Sequence, residues 1–216
     1  MRVTHLGHSC LLVEAGGMRV LLDPGTLAPG FHGLADLDAV LVTHQHPDHV
    51  DVDRLPNLLA ANPGARLLAE PQTAALLAGS GLDAVPVAAG EVLALGGLGV
   101  EAVGGRHAVI HADLPRIGNV GYVLAADGGP VLFHPGDMVD TAPEGVDVLA
   151  LPLNAPWAAA KEAVEFARAV APRTAFPIHD GLLSPAGRTI YLRVVGGLLP
   201  AATRLDDLAG AGAVDL

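Results

Sequence analysis

The chain has a single cysteine, Cys10, so no disulfide can form within it. Cys10 reads as a small apolar residue of a strand over Ser9–Glu14 rather than as a nucleophile. Cations are scarce: 12 Lys and Arg face 23 Asp and Glu, for a formal net charge of −11. Such a surface repels phosphate backbones and argues against nucleic acid as a substrate. No apolar run reaches the ~18 residues of a membrane span. Met1 leads straight into strand-like sequence without a charged leader, so the expectation is a cytoplasmic protein that makes no membrane contact. Neither an internal repeat nor an interdomain linker is visible. The 216 residues, 51% of them hydrophobic, suit one domain over 1–216 with a full core. A homo-oligomer is compatible with this composition.

Against this background the stretch Thr43-His44-Gln45-His46-Pro47-Asp48-His49 stands out. Before it runs Asp38-Ala39-Val40-Leu41-Val42, a short apolar run that reads as a buried strand. After it, Asp51–Asn62 reads as a helix closed by Asn62-Pro63-Gly64. The cluster therefore falls where a strand ends and a helix begins, the place where α/β sheets bind ligands. Residues two apart in an extended segment point the same way, so His44 and His46 can grip one ion together. Pro47 suits a first helical turn, and the bend it makes turns Asp48 and His49 toward a neighbouring point. Imidazole and carboxylate suit zinc, manganese or iron, and a cluster without cysteine is not a thiolate site.

The N-terminal third reads as a meander of Arg2–His5, Cys10–Glu14 and Arg19–Asp23, with a hairpin at Ala15-Gly16-Gly17. His8 and Asp23 fall at strand ends. His8 is either a turn residue or a residue facing the site. Asp23 either forms a turn before Pro24 or accepts the second N–H of a ligating imidazole. Thr26–Leu37 reads as a loop over the site mouth, with Phe31 and His32 as candidate substrate contacts. Ala65–Ala69 is a strand and Pro71–Ala78 a helix. Ala84–Val87, Glu91–Leu95 and Leu98–Val103 are strands expected to open a second sheet. Asn119–Leu124 and Val131–Phe133 form a hairpin, and Val146–Leu151 and Ala175–Ile178 are later strands. Ala158–Val170 is an amphipathic helix with Val164, Phe166, Ala167 and Val170 inward. Ser184–Leu199 is a last helix containing Tyr191, Leu192, Val195 and Leu198, and the tail from Thr203 holds a short closing strand.

His-x-His-x-Asp-His after a strand resembles the signature of the metallo-β-lactamase superfamily, and the likeness extends over nearly the whole chain. Gly104-Gly105-Arg106-His107, His134-Pro135-Gly136-Asp137 and Pro177-Ile178-His179 are similar to its three downstream ligand positions. The resemblance implies an α+β four-layer αββα sandwich, with two facing mixed β-sheets and outer helices. It implies two divalent ions, zinc first and manganese or iron as alternatives. His44, His46 and His107 would hold one, Asp48, His49 and His179 the other, with Asp137 bridging. It also implies a metal-bridging hydroxide that attacks a small ester, lactone, amide or phosphoester, with Asp48 and Asp137 as catalytic carboxylates. The Gly-His-Ser element at residues 7–9 resembles the branch containing ascorbate-phosphate lactonases, which makes His8 a candidate substrate-binding residue. His111, in the loop-like stretch four residues after His107, is a second candidate for substrate or for supporting a ligand, and Trp157, in a Pro-bounded loop after a strand, either walls the substrate pocket or packs against the following helix. A metal-binding sensor or scaffold without turnover is the alternative.

Overall fold

The computed structural model describes residues 1–216. The first half builds β1 (Arg2–Gly7), β2 (Cys10–Ala15), β3 (Met18–Leu22), β4 (Ala39–Val42), α1 (Leu55–Ala61), β5 (Arg66–Ala69), α2 (Pro71–Gly79) and β6 (Val85–Pro86). The second builds β7 (Val92–Leu95), β8 (Leu98–Gly104), β9 (Val120–Ala126), β10 (Leu132–His134), β11 (Val148–Pro152), α3 (Ala160–Val170), β12 (Thr174–Ile178), α4 (Pro185–Gly196), β13 (Arg204–Leu205) and β14 (Ala213–Asp215). The strands form two seven-stranded mixed sheets, ordered β14-β1-β2-β3-β4-β5-β6 and β13-β12-β11-β10-β9-β8-β7. Each sheet carries three antiparallel pairings followed by three parallel ones, so one pairing scheme occurs twice.

The period-two alternation of strands decides the layers. In β4, Ala39 and Leu41 enter the cluster between the sheets, whereas Val40 and Val42 face outward into a second cluster with Leu55, Leu58 and Leu77 of α1 and α2. In β11, Val148 and Ala150 face inward, and Leu149 and Leu151 meet Ala163, Val164, Phe166, Ala167 and Val170 of α3. Strands buried on both faces must be apolar throughout, which is why the central parallel strands read as unbroken hydrophobic runs. The result is helices, sheet, sheet, helices. Cys10 is fully buried in the outer cluster of the first sheet. No helix is long and apolar enough to cross a membrane.

Several local expectations are corrected. Val85–Pro86 pairs in parallel with β5, so it extends the first sheet and does not open the second. The helix after the motif begins at Leu55, not Asp51. Asp51 Oδ1 accepts the backbone N–H groups of Asp53 and Arg54, which holds the intervening chain in turns. Leu198 is exposed beyond the end of α4, whereas Val195 is buried. Phe31 is buried beneath the loop among Leu6, Leu34 and Leu58, so it packs and does not face a substrate; His32 is exposed. The tail supplies two strands, and β14 pairs with β1.

The sheets are stitched together at one end. Tyr122 Oη donates to Val42 O at 3.1 Å, and Val120 N–H to Thr43 O at 3.0 Å. His134 Nε2 donates to Ser9 O at 2.8 Å, and His179 N–H to His8 O at 3.0 Å. Each such bond contributes about 0.5–1.5 kcal/mol net, and together they fix the strand ends on which the chemistry sits.

Candidate metal centre

Seven of the residues named from sequence converge at this seam, and His8 joins them. The His44, His46, His107 and Asp137 donor atoms form one group; those of His8, Asp48, His49 and His179 form a second. Within each group they lie within 4.8 Å of one another. His44, His46, Asp48 and His49 follow β4, Asp137 follows β10 and His179 follows β12. His107 follows β8, after Gly104 and Gly105 turn the chain with φ of +88° and +129°. Each group thus draws donors from both sheets.

Asp137 faces both groups. Its Oδ2 lies 3.3 Å from His107 Nε2, 3.2 Å from His179 Nε2 and 4.0 Å from His44 Nε2, and its Oδ1 lies 3.1 Å from His49 Nε2. Gly136 makes this placement possible. It has φ +60°, and a Cβ there would fall 2.5 Å from Asn119 Oδ1 and 2.7 Å from Thr43 Cβ. Asn119 Oδ1 in turn accepts the Asp137 N–H at 2.9 Å.

The rings are held from behind. His49 Nδ1 donates to Asp23 Oδ2 at 2.7 Å, His107 Nδ1 to Ala108 O at 2.7 Å and His179 Nδ1 to Asn154 O at 2.6 Å. Thr43 Oγ1 gives its only proton to Asp23 Oδ2 at 2.8 Å, so at 3.0 Å it accepts from His44 Nδ1–H. All four rings therefore aim Nε2 at the centre. His49 Nε2, His107 Nε2, His179 Nε2 and Asp137 Oδ1 are buried there without a hydrogen bond of proper geometry. Buried polar atoms left unpaired are costly. A set of imidazole nitrogens and carboxylate oxygens converging in this way fits divalent cations.

Protonation agrees with that fit at His44, His46, Asp48 and Asp137, and opposes it at His49 and His179. Burial pushes His44 and His46 down, which leaves neutral rings with free lone pairs. Burial pushes the Asp137 carboxyl up, but the surrounding His49, His107 and His179 rings prevail and hold it well below the usual carboxylate range. Asp48 is likewise held down against burial, by His179 and His8. Burial also opposes charge on His49 and His179, yet the carboxylates prevail: His49 is raised well above its ordinary value and His179 to about 9.

Trp157, the only tryptophan, lies over the centre. Its Nε1 donates to Asp137 Oδ2 at 2.8 Å, and its ring meets His107 and His179 at centroid distances of 6.1 and 6.2 Å. Its fluorescence should therefore respond when a cation reaches Asp137. A cation must displace the protons that His49 and His179 hold in the metal-free protein. Fewer are held as pH approaches 9, so apparent zinc affinity should tighten steadily from pH 6 to pH 8. Zinc titrations read by Trp157 emission check this; an affinity flat across that range would mean these rings do not bind the ion.

His111 is not brought to the centre. Its side chain is 66% exposed and sits 3.5 Å from Asp113, on a loop that turns outward after His107. Two arginines near the centre are committed to structural contacts. Arg116 pairs with Asp140 and donates to His107 O; Arg188 pairs with Asp180 and Asp207. Three supporting residues had no sequence signal: Thr43 behind His44, Asn119 behind Asp137, and the buried His134. Thr43 joins its neighbour His44 to Asp23, whereas Asn119 and His134 meet partners from other strands that only the fold brings to them.

Comparison with known proteins agrees with this geometry. A family model described as the β-lactamase superfamily domain matches residues 2–179. Protein Rv0786c of Mycobacterium tuberculosis is 53% identical over 192 residues, covering 88% of this chain and 89% of that protein. A Methanopyrus kandleri protein named as a metal-dependent hydrolase is 31% identical over 202 residues, 86% of each chain. Among solved structures, a metallo-β-lactamase fold protein from Bacillus subtilis superposes with a TM-score of 0.74 at 15% identity, covering 95% of each chain. This chain belongs to the β-lactamase superfamily.

Proposed function

We propose that this chain, a metal-dependent hydrolase, works with two divalent ions on a small ester, lactone, amide or phosphoester. The observation that carries the reading is the convergence of buried, unpaired imidazole and carboxylate atoms from both sheets on one point. His44, His46 and His107 would hold the first ion, and Asp48, His49 and His179 the second, with Asp137 between them. Zinc is the first candidate, manganese and iron the alternatives. When bound, the ions would supply a hydroxide nucleophile near neutral pH and a Lewis acid for the scissile oxygen.

The chain's own residues do the rest. Asp48 and Asp137 stay ionised and offset the cationic charge. Asp23, Thr43, Ala108 O and Asn154 O fix ring orientations before any ligand arrives, so no reorganisation is needed during the reaction. Trp157 walls the approach, and the solvent-exposed side chains of Ile110 and Leu114, with Ile117, flank His46 and His107 on one side. This surface fits a small molecule with an apolar portion.

The test is metal analysis combined with turnover. Purified protein remetallated with zinc, manganese or iron should hold two equivalents and cleave at least one class in a panel of esters, lactones, amides and phosphoesters, and a chelator should abolish that cleavage. Protein that holds metal yet cleaves none of the panel would instead be a sensor or scaffold.

A further inference from the structure

His8 lies in the turn between β1 and β2, with φ +51° and a fully buried side chain. Its distance to the second group would make it a fourth ligand there. Its other ring nitrogen argues otherwise. The Gly181 backbone N–H donates to His8 Nδ1 at 3.1 Å. An amide N–H cannot accept, so Nδ1 must carry the lone pair, and the neutral ring then bears its proton on Nε2. That proton points at Asp48 Oδ2, 3.0 Å away. A nitrogen that carries a proton has no lone pair for a cation.

We infer that His8 is a positioning residue for the second ion: locked in the Nε2–H tautomer by Gly181, it clamps the Asp48 carboxylate and does not ligate. This rests on the two-ion reading above. The clamp also joins the two sheets. Gly181 lies two residues after His179, whose own N–H donates to His8 O at 3.0 Å. The chain that presents His179 on one sheet therefore also sets the ring that orients Asp48 on the other. Gly181 itself is constrained, since a Cβ there would fall 3.0 Å from His8 Nδ1. His5 Nε2 adds a bond to His8 O at 2.9 Å, which holds the left-handed backbone in place.

Two substitutions separate clamp from ligand. His8→Asn tolerates the positive φ but is too short to reach Asp48. His8→Gln carries an amide N–H long enough to reach it. Zinc titration with elemental analysis should give two equivalents for the wild type. In His8→Asn the first should bind unchanged and the second 10–100-fold more weakly, the usual cost of losing a ligand's hydrogen-bond partner. His8→Gln should recover much of that loss. Near-normal second-ion binding in His8→Asn would overturn the inference; so would a His8→Gln as weak as the Asn variant, because Nε2 would then be a ligand. A wild type that takes only one equivalent removes the two-ion reading and this inference with it. One measurement needs no variant. Long-range nitrogen–proton correlation spectra of the zinc-loaded wild type should show His8 protonated at Nε2 and bare at Nδ1; a proton on Nδ1, or a metal-bound Nε2, overturns the assignment.

Discussion

Asp137→Asn is expected to lower hydrolysis about a thousandfold while leaving the protein folded. Asp137 is the one side chain that faces His44 and His107 of one group and His49 and His179 of the other. Asparagine keeps its volume, so the packing beside Gly136 and Asn119 is undisturbed. It removes the negative charge that offsets two cations and replaces one anionic oxygen with an NH2 group that points donors at donors. A loss of about 4 kcal/mol of metal or transition-state stabilisation corresponds to that rate factor. The backbone N–H to Asn119 Oδ1 is retained, so circular dichroism should be unchanged. The check is zinc stoichiometry and turnover of any substrate the wild type cleaves. Full occupancy with near-normal turnover would take Asp137 out of the reaction.

Asp23 should show the largest effect on stability. It is fully buried and accepts from Thr43 N at 2.8 Å, Thr43 Oγ1 at 2.8 Å and His49 Nδ1 at 2.7 Å. Asp23→Ala leaves all three donors without a partner in a dry interior. Breaking a buried charged network of this kind costs about 3–5 kcal/mol, or roughly a 10 °C drop in Tm for a chain of this size. Asp23→Asn should be milder for the fold but specific for the metal. Its amide would donate to His49 Nδ1 and so push the ring proton onto Nε2, the atom needed for the ion. Thermal melts and zinc titrations together distinguish the cases. A large Tm loss for the Ala variant, with selective loss of one zinc equivalent in the Asn variant, is the expected pair. An Asn variant that keeps both equivalents would show that Asp23 only supports the fold.

The legible parts of the sequence were those whose signal is local. The His44–His49 segment follows an apolar run that is buried on both faces, so both the strand and the cluster at its end could be read from adjacent residues. Val164, Phe166, Ala167 and Val170 of α3 follow helical spacing and are buried. Residues with non-local partners were less legible. Val85–Pro86 is too short for alternation to reveal which sheet it joins. His111 shares the residue type and neighbourhood of His107, and only the outward turn of the loop separates them. Phe31 looked like a mouth residue because its Gly- and Pro-containing segment has no clear periodicity, yet its aromatic bulk is drawn into the outer core. Asn119 acts on Asp137 from another strand, and Thr43 supports its neighbour His44 only because its hydroxyl proton goes to Asp23, twenty residues away, so no spacing rule could find either role.

The doubled pairing scheme has a consequence of its own. By place in their sheets, β1 corresponds to β8, β3 to β10, β4 to β11 and β5 to β12. His8 and His107 then occupy matching turns, as do Asp23 and Asp137, and Glu70 and His179, while the histidine motif after β4 is matched by the Asn154–Trp157 loop after β11. Position for position the plan is twofold, but its labour is divided. One half carries most of the nitrogen donors; the other contributes the central carboxylate and the indole that covers it. The symmetry is also broken by β14, which belongs in sequence to the second half but completes the edge of the first sheet beside β1. It acts as a clasp: cutting the chain between β6 and β7 would not yield two self-contained halves, because the last strand of one is the missing edge of the other.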